Sequence, residues 1–204
     1  RLGDLTVLGA SVQALLSHPS VDAVQVVIGA GDAGLYGAAV GSGGSRILPP
    51  VAGGATRQES ALRGLLALEP HRPERVLIHD GARPFVTREI IDGVLASLDT
   101  NAAAIAAVPL TDSLKRAGKD GRIVSSLGRE GLWRAQTPQG FHFTAILAAH
   151  RAAAAAGQLD MTDDAAVAEW AGLPVALVAG SEANSKITTA EDLASACARF
   201  PSLP

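Results

Sequence analysis

The side chains with the most evident chemistry lie in a twelve-residue segment, residues 75–86. Its apolar start at 76–78 predicts a buried strand of a parallel sheet, which ends at a glycine that permits a turn. Ligands bind beyond the carboxyl ends of strands in open α/β sheets, so Asp80 and Arg83 are candidate ligand-binding residues. The planar Arg83 guanidinium suits a pair of phosphate oxygens better than lysine does. A surface ion pair is the plain structural alternative.

A second candidate segment, residues 53–60, links a predicted strand to a predicted helix. Paired glycines, Gly53 and Gly54, let backbone amides approach a ligand, and the helix N-terminus adds partial positive charge. The Ser60 hydroxyl can cap the helix or contact a ligand. A flexible turn with a helix cap explains the same residues without any ligand.

Further candidates share one property, a cation or a hydroxyl at a predicted loop position: Ser113, Arg129, Thr137 and Lys186. Each is weak alone, because solvated lysines and threonines before proline are common. No serine–histidine or cysteine–histidine pair suggests a nucleophile, and His79 at a strand end is better explained by packing. The set favours phosphoryl or nucleotidyl transfer, in which positioning and charge stabilisation do the catalysis.

A formal G-x-G-x-x-G pattern at 29–34 follows a predicted strand and is typical of dinucleotide binding. A chain with 22 glycines produces such patterns easily. The acid expected after the next strand is absent, and Asp32 inside the pattern would repel a pyrophosphate. An NADP-binding oxidoreductase is therefore the less favoured alternative.

The elements that must position these residues alternate between strands and helices. The predicted strands are 21–28, 46–51, 76–78, 102–108 and 175–178, and the predicted helices are 8–16, 35–40, 59–68, 88–98, 143–156, a helix capped at 162–164 that runs to 170, and 190–198. This alternation indicates βαβ units and hence an α/β fold class, a Rossmann-like and mostly parallel sheet flanked by helices.

The rhythm changes at about 112–139, where Asp120-Gly121 between two short runs predicts a hairpin turn. We therefore expect an antiparallel β-arm that leaves the sheet and is exposed unless another subunit covers it. Because α/β domains usually begin with a strand and the first predicted element here is a helix, we also expect a β–loop unit upstream. Residues 200–204 resemble the start of a linker.

Composition narrows the class of protein. A chain of 204 residues, 48% apolar and 3% aromatic, fits a single domain of helices packed on a sheet. A net charge of −3 disfavours a nucleic-acid partner, and the single Cys197 excludes a disulfide scaffold or a cysteine zinc cluster. No apolar run reaches membrane-spanning length and no secretory leader is visible, so a cytoplasmic protein without a membrane partner is expected.

Six segments, in order, resemble motifs of the 2-C-methyl-D-erythritol 4-phosphate cytidylyltransferase family of the non-mevalonate isoprenoid pathway: 53–60, 79–84, 108–115, 129–139, 162–164 and 186–188. The resemblance covers nearly the whole chain. It implies one nucleotidyltransferase domain over 1–204 that joins CTP and 2-C-methyl-D-erythritol 4-phosphate to give 4-diphosphocytidyl-2-C-methyl-D-erythritol and pyrophosphate. A transferase for another polyol phosphate, ribitol 5-phosphate, is the nearest alternative, and a catalytically silent binding domain is a third.

The same resemblance implies a role for each candidate. Lys186 would stabilise charge on the reacting phosphates. The methylerythritol phosphate molecule would be held by Asp80, Arg83, Ser113 and Thr137, and the cytidine by Gly53, Gly54, Ala55, Ser60 and Gly81. Mg²⁺ would be carried with CTP, and no metal ligand is expected in the protein.

Arg129, on the arm, would reach the acceptor pocket of the neighbouring subunit in a homodimer. A fused cyclodiphosphate synthase domain could follow, as in some family members. The sequence departs from the family at three places, one of which is Ser113, where threonine is common. Ala55 stands where aspartate is common, and the N-terminal glycine-rich loop that grips the triphosphate has no counterpart except Arg1 as a remnant.

Overall fold

Strands and helices alternate through the first half of the chain, as the hydrophobic pattern predicts. A computed structural model describes residues 1–41 and 44–199, so the predicted linker at 200–204 lies outside the described residues. The helices are α1 (Val7–Leu16), α2 (Ala33–Val40), α3 (Arg57–Leu68), α4 (Arg88–Ser97), α5 (Phe143–Ala155), α6 (Asp164–Trp170) and α7 (Ala190–Arg199). The strands are β1 (Val24–Ile28), β2 (Ile47–Ala52), β3 (Arg75–Ile78), β4 (Ala103–Pro109), β5 (Leu114–Ala117), β6 (Ile123–Leu127), β7 (Trp133–His142) and β8 (Val175–Ala179).

The central sheet has the order β3-β7-β4-β8, and β1 and β2 form a separate parallel pair. β4 and β8 are parallel, whereas β7 is antiparallel to both of its neighbours. The predicted α/β class is confirmed, with β3, β4 and β8 running in one direction and β7 alone making the central sheet mixed. The reason is that β7 enters the sheet directly from the arm, without the crossover helix that a parallel strand needs.

Helices cover both faces of this sheet. On one face α3, α5 and α6 bury a core around Phe141 and Ile146, and on the other α4 buries Ile91 and Val94. β4 lies between these layers with six consecutive residues buried, which explains its uninterrupted apolar sequence. Among the described residues, no helix has both the length and the apolar character needed to cross a membrane.

A cavity of about 800 Å³ lies between β1 and β3. Residues of both strands line it, together with residues of α1 and α3. Within the described residues the two strands belong to different sheets. The upstream strand expected from the sequence stays a prediction.

The arm consists of β5 and β6, which pair antiparallel with each other and with no strand of the central sheet. The hairpin predicted at Asp120-Gly121 is present, with Gly121 at φ 77°. Ile123 and Val124 expose about two thirds of their surface. The range predicted for the arm is too long, because Gln136, Thr137 and Gln139 are buried in the central sheet as part of β7.

Three predicted boundaries also shift. β1 begins at Val24 rather than at residue 21, and α3 begins at Arg57 rather than at Glu59. Asp163, not Thr162, caps α6, since its carboxylate accepts a hydrogen bond from the Ala166 amide. Aspartate and threonine are both common caps, so composition alone does not choose between adjacent positions.

Candidate active site

The turn after β3 gathers three of the predicted residues. Asp80 Oδ2 lies 3.2 Å from Lys186 Nζ and 3.3 Å from Arg83 Nε. Arg83 Nη1 donates a hydrogen bond of 2.8 Å to the Asn184 carbonyl, and the Ile187 amide donates one of 2.9 Å to the Ala82 carbonyl. These bonds tie the loop that carries Lys186 to the turn, so residues about a hundred positions apart form one site.

Positive charge dominates this turn. Burial of Asp80 would raise the pKa of its carboxyl, but the nearby Lys186, Arg83 and Arg57 cations together lower the pKa below its ordinary value. The carboxylate is therefore ionised at neutral pH, and the cations outnumber it. Lys186 keeps nearly half of its side chain exposed, which leaves its ammonium accessible to a phosphate.

His79 and Thr137 form the wall behind Asp80. His79 Nε2 lies 2.9 Å from the Arg83 carbonyl, which can only accept, so Nε2 carries the proton. His79 Nδ1 therefore accepts from the Thr137 hydroxyl at 3.0 Å, and the hydroxyl oxygen accepts from the Asp80 amide at 3.0 Å. Burial lowers the pKa of His79, which keeps its ring neutral. Thr137, only 4% exposed, uses its proton within the protein.

The glycine bend of residues 53–60 is held in shape by its own side chains. The Ser60 hydroxyl accepts from the Gly54 amide at 3.1 Å, and the Glu59 carboxylate accepts from the Ala55 amide at 2.8 Å. A Cβ at Gly53 would lie 2.7 Å from Ser60 Oγ, and one at Gly54 would lie 2.2 Å from Glu59 Cδ. Both positions need glycine because the side chains of Ser60 and Glu59 pack directly against their backbone. Ser60 also stabilises the bend through its hydrogen bond with the Gly54 amide.

The bend and the turn face the same cavity. Its wall includes Arg57 and Ser60 from the bend, and Asp80 and Gly81 from the turn. Ser11 of α1 holds the turn from a third side, because its hydroxyl donates a 2.8 Å hydrogen bond to the Gly81 carbonyl. The two segments predicted to bind ligand therefore line one space, as one shared site requires.

Ser113 and Arg129 lie elsewhere. Both are exposed near the base of the arm, and the Arg129 guanidinium donates to the Thr111 carbonyl of the same arm. Among the hydrogen bonds and ion pairs of the described residues, neither side chain contacts the Asp80 turn. Their predicted contact with substrate stays a prediction.

Sequence reasoning missed the side chains that brace the bend. Arg57 Nη2 lies 2.6 Å from Asp164 Oδ2, and His150 Nε2 lies 3.1 Å from Asp164 Oδ1. Arg57 and Asp164 stand inside motifs that carry the resemblance, but 107 positions separate them. The spacing of residues along the chain gives no sign that Arg57 and Asp164 form a pair. His150 lies outside all of the motifs that carry the resemblance.

The glycine pattern at 29–34 offers poor support for a dinucleotide. A Cβ at Gly29 would lie 2.4 Å from an Asp32 carboxylate oxygen, so an acidic group occupies this loop. Asp32 makes no capping hydrogen bond to α2, and α2 buries none of its residues. An anionic pyrophosphate would meet negative charge here.

Metal ligands are equally sparse near the cavity. Within residues 1–41 and 44–199, histidine, cysteine and acidic side chains do not gather in groups of three that could hold an ion. The Asp80 carboxylate is already balanced by Lys186 and Arg83.

An α/β domain with a glycine bend and a cation-rich turn on one cavity is a nucleotidyltransferase type of domain. The family described as "IspD: 2-C-methyl-D-erythritol 4-phosphate cytidylyltransferase" matches residues 1–201. The chain belongs to this family.

Individual relatives agree. A protein of Mesorhizobium japonicum named "Bifunctional enzyme IspD/IspF" is 46% identical over 202 residues, which are 99% of this chain and 49% of that protein. The 4-diphosphocytidyl-2C-methyl-D-erythritol synthase structure from Anaerococcus prevotii has a TM-score of 0.87 at 30% identity, and the 2-C-methyl-D-erythritol 4-phosphate cytidylyltransferase structure from Thermus thermophilus has 0.82 at 33%. Each match covers 98% of this chain and 91% of the solved one. The chain spans about half the length of the curated bifunctional relatives it matches.

Proposed function

We propose that this chain transfers a cytidylyl group from CTP to 2-C-methyl-D-erythritol 4-phosphate. The observation that carries the proposal is the shared cavity, with Arg57 and Ser60 of the glycine bend on one wall and Asp80 on another. Arg83 and Lys186 are held next to Asp80 by ion pairs. The family and the similar solved structures give the identity of the two substrates.

The reaction is an in-line displacement. A phosphate oxygen of the acceptor forms a bond to the α-phosphorus of CTP, and the bond to the β-phosphate oxygen breaks, so that pyrophosphate leaves with its electron pair. Lys186, partly exposed beside Asp80, stabilises the charge that builds up on the reacting phosphates. Arg83, fixed through Asn184, orients the acceptor phosphate together with the Asp80 turn.

Other assignments follow from the family motifs. The bend residues Gly53, Gly54, Ala55 and Ser60, with Gly81, bind cytidine. Mg²⁺ enters as part of its complex with CTP and offsets the triphosphate charge. Ser113 and Arg129 of the arm bind the acceptor, and Arg129 does so in the site of a second subunit. Thr137 acts on the acceptor indirectly, because its hydroxyl accepts a hydrogen bond from the Asp80 amide.

Two wider proposals rest on the relatives. The bifunctional name of the curated proteins supports a fused cyclodiphosphate synthase domain in the protein from which this chain comes. A place in isoprenoid biosynthesis supports a cytoplasmic location.

Pyrophosphate release with Mg²⁺–CTP and each acceptor tests the proposal. We expect release with 2-C-methyl-D-erythritol 4-phosphate and loss of nearly all of it in Lys186→Ala, with Lys119→Ala, an exposed lysine of the arm turn, as the matched control. Release with ribitol 5-phosphate alone would instead assign the polyol-phosphate alternative. If NADP raises the melting temperature of the chain and CTP does not, the oxidoreductase is favoured. If the chain binds CTP without any turnover, a catalytically silent domain is favoured.

A further inference from the structure

A wholly buried charge cluster lies behind the glycine bend. The Asp164 side chain, in the first turn of α6, has 0% exposure, as has that of His150 in α5. Burying a carboxylate costs free energy unless it is paired and hydrogen-bonded, and here one oxygen faces His150 while the other faces Arg57. Burial would raise the pKa of Asp164, but these two partners lower it, so the group is an anion.

The Asp164 carboxylate is not needed for capping its helix. Asp163 caps α6 through the Ala166 amide. The Asp164 and Ala165 amides both donate to Gln139 Oε1, at 3.1 and 3.0 Å. The Asp164 oxygens are therefore left for Arg57 and His150 alone.

Arg57 occupies a distinctive place. It lies within the bend as the first residue of α3, and its guanidinium contacts Asp164 while 37% of its side chain stays exposed. It also lines the cavity that the bend shares with Asp80. Burial lowers the pKa of Arg57, but the nearby carboxylates, Asp80 among them, raise it above its ordinary value. Arg57 and Asp80 therefore interact electrostatically.

Gln58 fixes the neighbouring position. Its amide nitrogen donates to the Gln158 carbonyl at 2.6 Å, and its amide oxygen accepts from the Met161 amide at 3.1 Å. The start of α3 is thus anchored at two consecutive residues, with Gln58 bound to the segment between α5 and α6 and Arg57 bound to the first residue of α6. The anchored helix start fixes the backbone from which Arg57 extends, and the contact with Asp164 fixes its guanidinium.

We infer that Arg57 binds the α-phosphate of the nucleotide, and that Asp164, itself held by His150, is the positioning residue that aims Arg57 into the cavity. This inference rests on the proposed function for the orientation of the nucleotide. With cytidine at the bend and the acceptor phosphate at the Asp80 turn, the group between them is the α-phosphate. Arg57 is a cation of the bend that lines the same cavity as Asp80 of the turn.

Binding of CMP and cytidine, measured by calorimetry, tests this without requiring turnover. CMP carries the α-phosphate and cytidine does not. For Arg57→Gln we expect CMP affinity to fall on the order of tenfold, the usual loss for a charge-assisted hydrogen bond, and cytidine affinity to stay unchanged. Arg57→Lys should recover part of the CMP affinity because it keeps the charge.

A double-mutant cycle separates positioning from general stability. Asp164→Asn should weaken CMP binding as Arg57→Gln does, and it should add nothing further in the Arg57→Gln background. His150→Gln gives a second route if Asp164→Asn does not fold. Arg151→Gln, which removes an exposed partner of Glu69 on the same helix as His150, is the control and should leave both affinities unchanged.

Unchanged CMP affinity in Arg57→Gln, or additive losses in the double variant, would overturn the inference. Equal loss of cytidine and CMP affinity would also overturn it, because that pattern describes a distorted bend. A wild-type chain that prefers CMP to cytidine but releases no pyrophosphate would count against the proposed function alone.

Discussion

His79 shows how much of the site depends on one neutral ring. It donates to the Arg83 carbonyl and accepts from Thr137, so it closes the turn that carries Asp80 at both ends. A protonated ring would carry a second N–H, directed at the Thr137 hydroxyl, which would then have to turn away from it. The orientation of Asp80 therefore depends on His79 remaining uncharged.

This dependence predicts the direction of a pH effect. The pKa of His79 in the folded chain is lowered from 6.5, so below that pH the unfolded chain binds a proton that the folded chain resists. Stability should accordingly fall as pH drops from 6.5 towards the lowered folded pKa. Unfolding in urea at pH 7.5 and pH 5.5 measures this. His79→Gln should lose less stability across the interval than wild type, and an equal loss would show that other groups cause the effect.

At the same scale, sequence predicted individual residues better than their partners. Asp80, Arg83 and Lys186 lie together, because residue type and loop position mark charged groups that can share one site. Their contacts with substrate stay predictions. The Arg57–Asp164 pair was missed, since its members come from separate elements that only the tertiary fold brings together. Thr137 was placed on the arm because its polar neighbours hide the burial of β7.

At the scale of elements, the start of α3 determines the shape of the bend. The Thr56 hydroxyl caps the helix by accepting from the Glu59 amide at 3.1 Å, and the Ser60 hydroxyl donates to the Thr56 carbonyl at 2.9 Å. A helix cap of this kind stabilises a protein by about 1 kcal/mol. Here the capped turn also carries Glu59 and Ser60, which accept from the bend amides.

Removing the cap should therefore affect both stability and binding. Thr56→Ala should lower the free energy of unfolding by about 1 kcal/mol and weaken nucleotide binding, whereas Thr56→Ser, which keeps the hydroxyl, should do neither. Urea unfolding and CTP calorimetry measure the two effects. Thr87→Ala at the start of α4, where no side-chain cap bond forms, is the matched control. Weakened CTP binding without lower stability would contradict the link between cap and bend.

The secondary-structure elements also show where prediction from the hydrophobic pattern of the sequence fails. Helices α1, α4 and α7 were predicted nearly to their ends, because apolar periodicity and caps are local signals. β7 was not, since its buried residues Gln136, Thr137 and Gln139 are polar. These side chains are satisfied by Ser181, His79 and Asp163, contacts that no period along the chain reveals. The mixed sheet follows from this one strand.

At the scale of the whole molecule, the arm carries exposed apolar surface. Ile123, Val124 and Trp133 are exposed large apolar residues on β6 and at the start of β7. Exposed apolar residues grouped on a projecting hairpin are typical of an interface between subunits. Arg129, between these strands, makes its hydrogen bond within the arm rather than to the Asp80 turn of its own chain.

Complementation between two inactive variants tests whether Arg129 serves a second copy. Lys186→Ala leaves the arm intact, and Arg129→Ala leaves the Asp80 turn intact. In a mixed dimer one site has both defects, while the other has wild-type Lys186 on one protomer and wild-type Arg129 on its partner. Refolding an equal mixture should therefore restore about a quarter of wild-type turnover, because half of the dimers are mixed and each has one intact site.

The control is a mixture of Lys186→Ala with Arg83→Ala. Both residues belong to the same Asp80 turn site of one protomer, so no mixed dimer contains an intact site and no activity should return. Recovery with the Arg129 mixture but not with this one requires a site shared between subunits. No recovery in either mixture would place Arg129 in its own chain's site, and full turnover of Arg129→Ala by itself would place it outside catalysis. Sedimentation of the wild-type chain as a monomer would remove the shared site altogether.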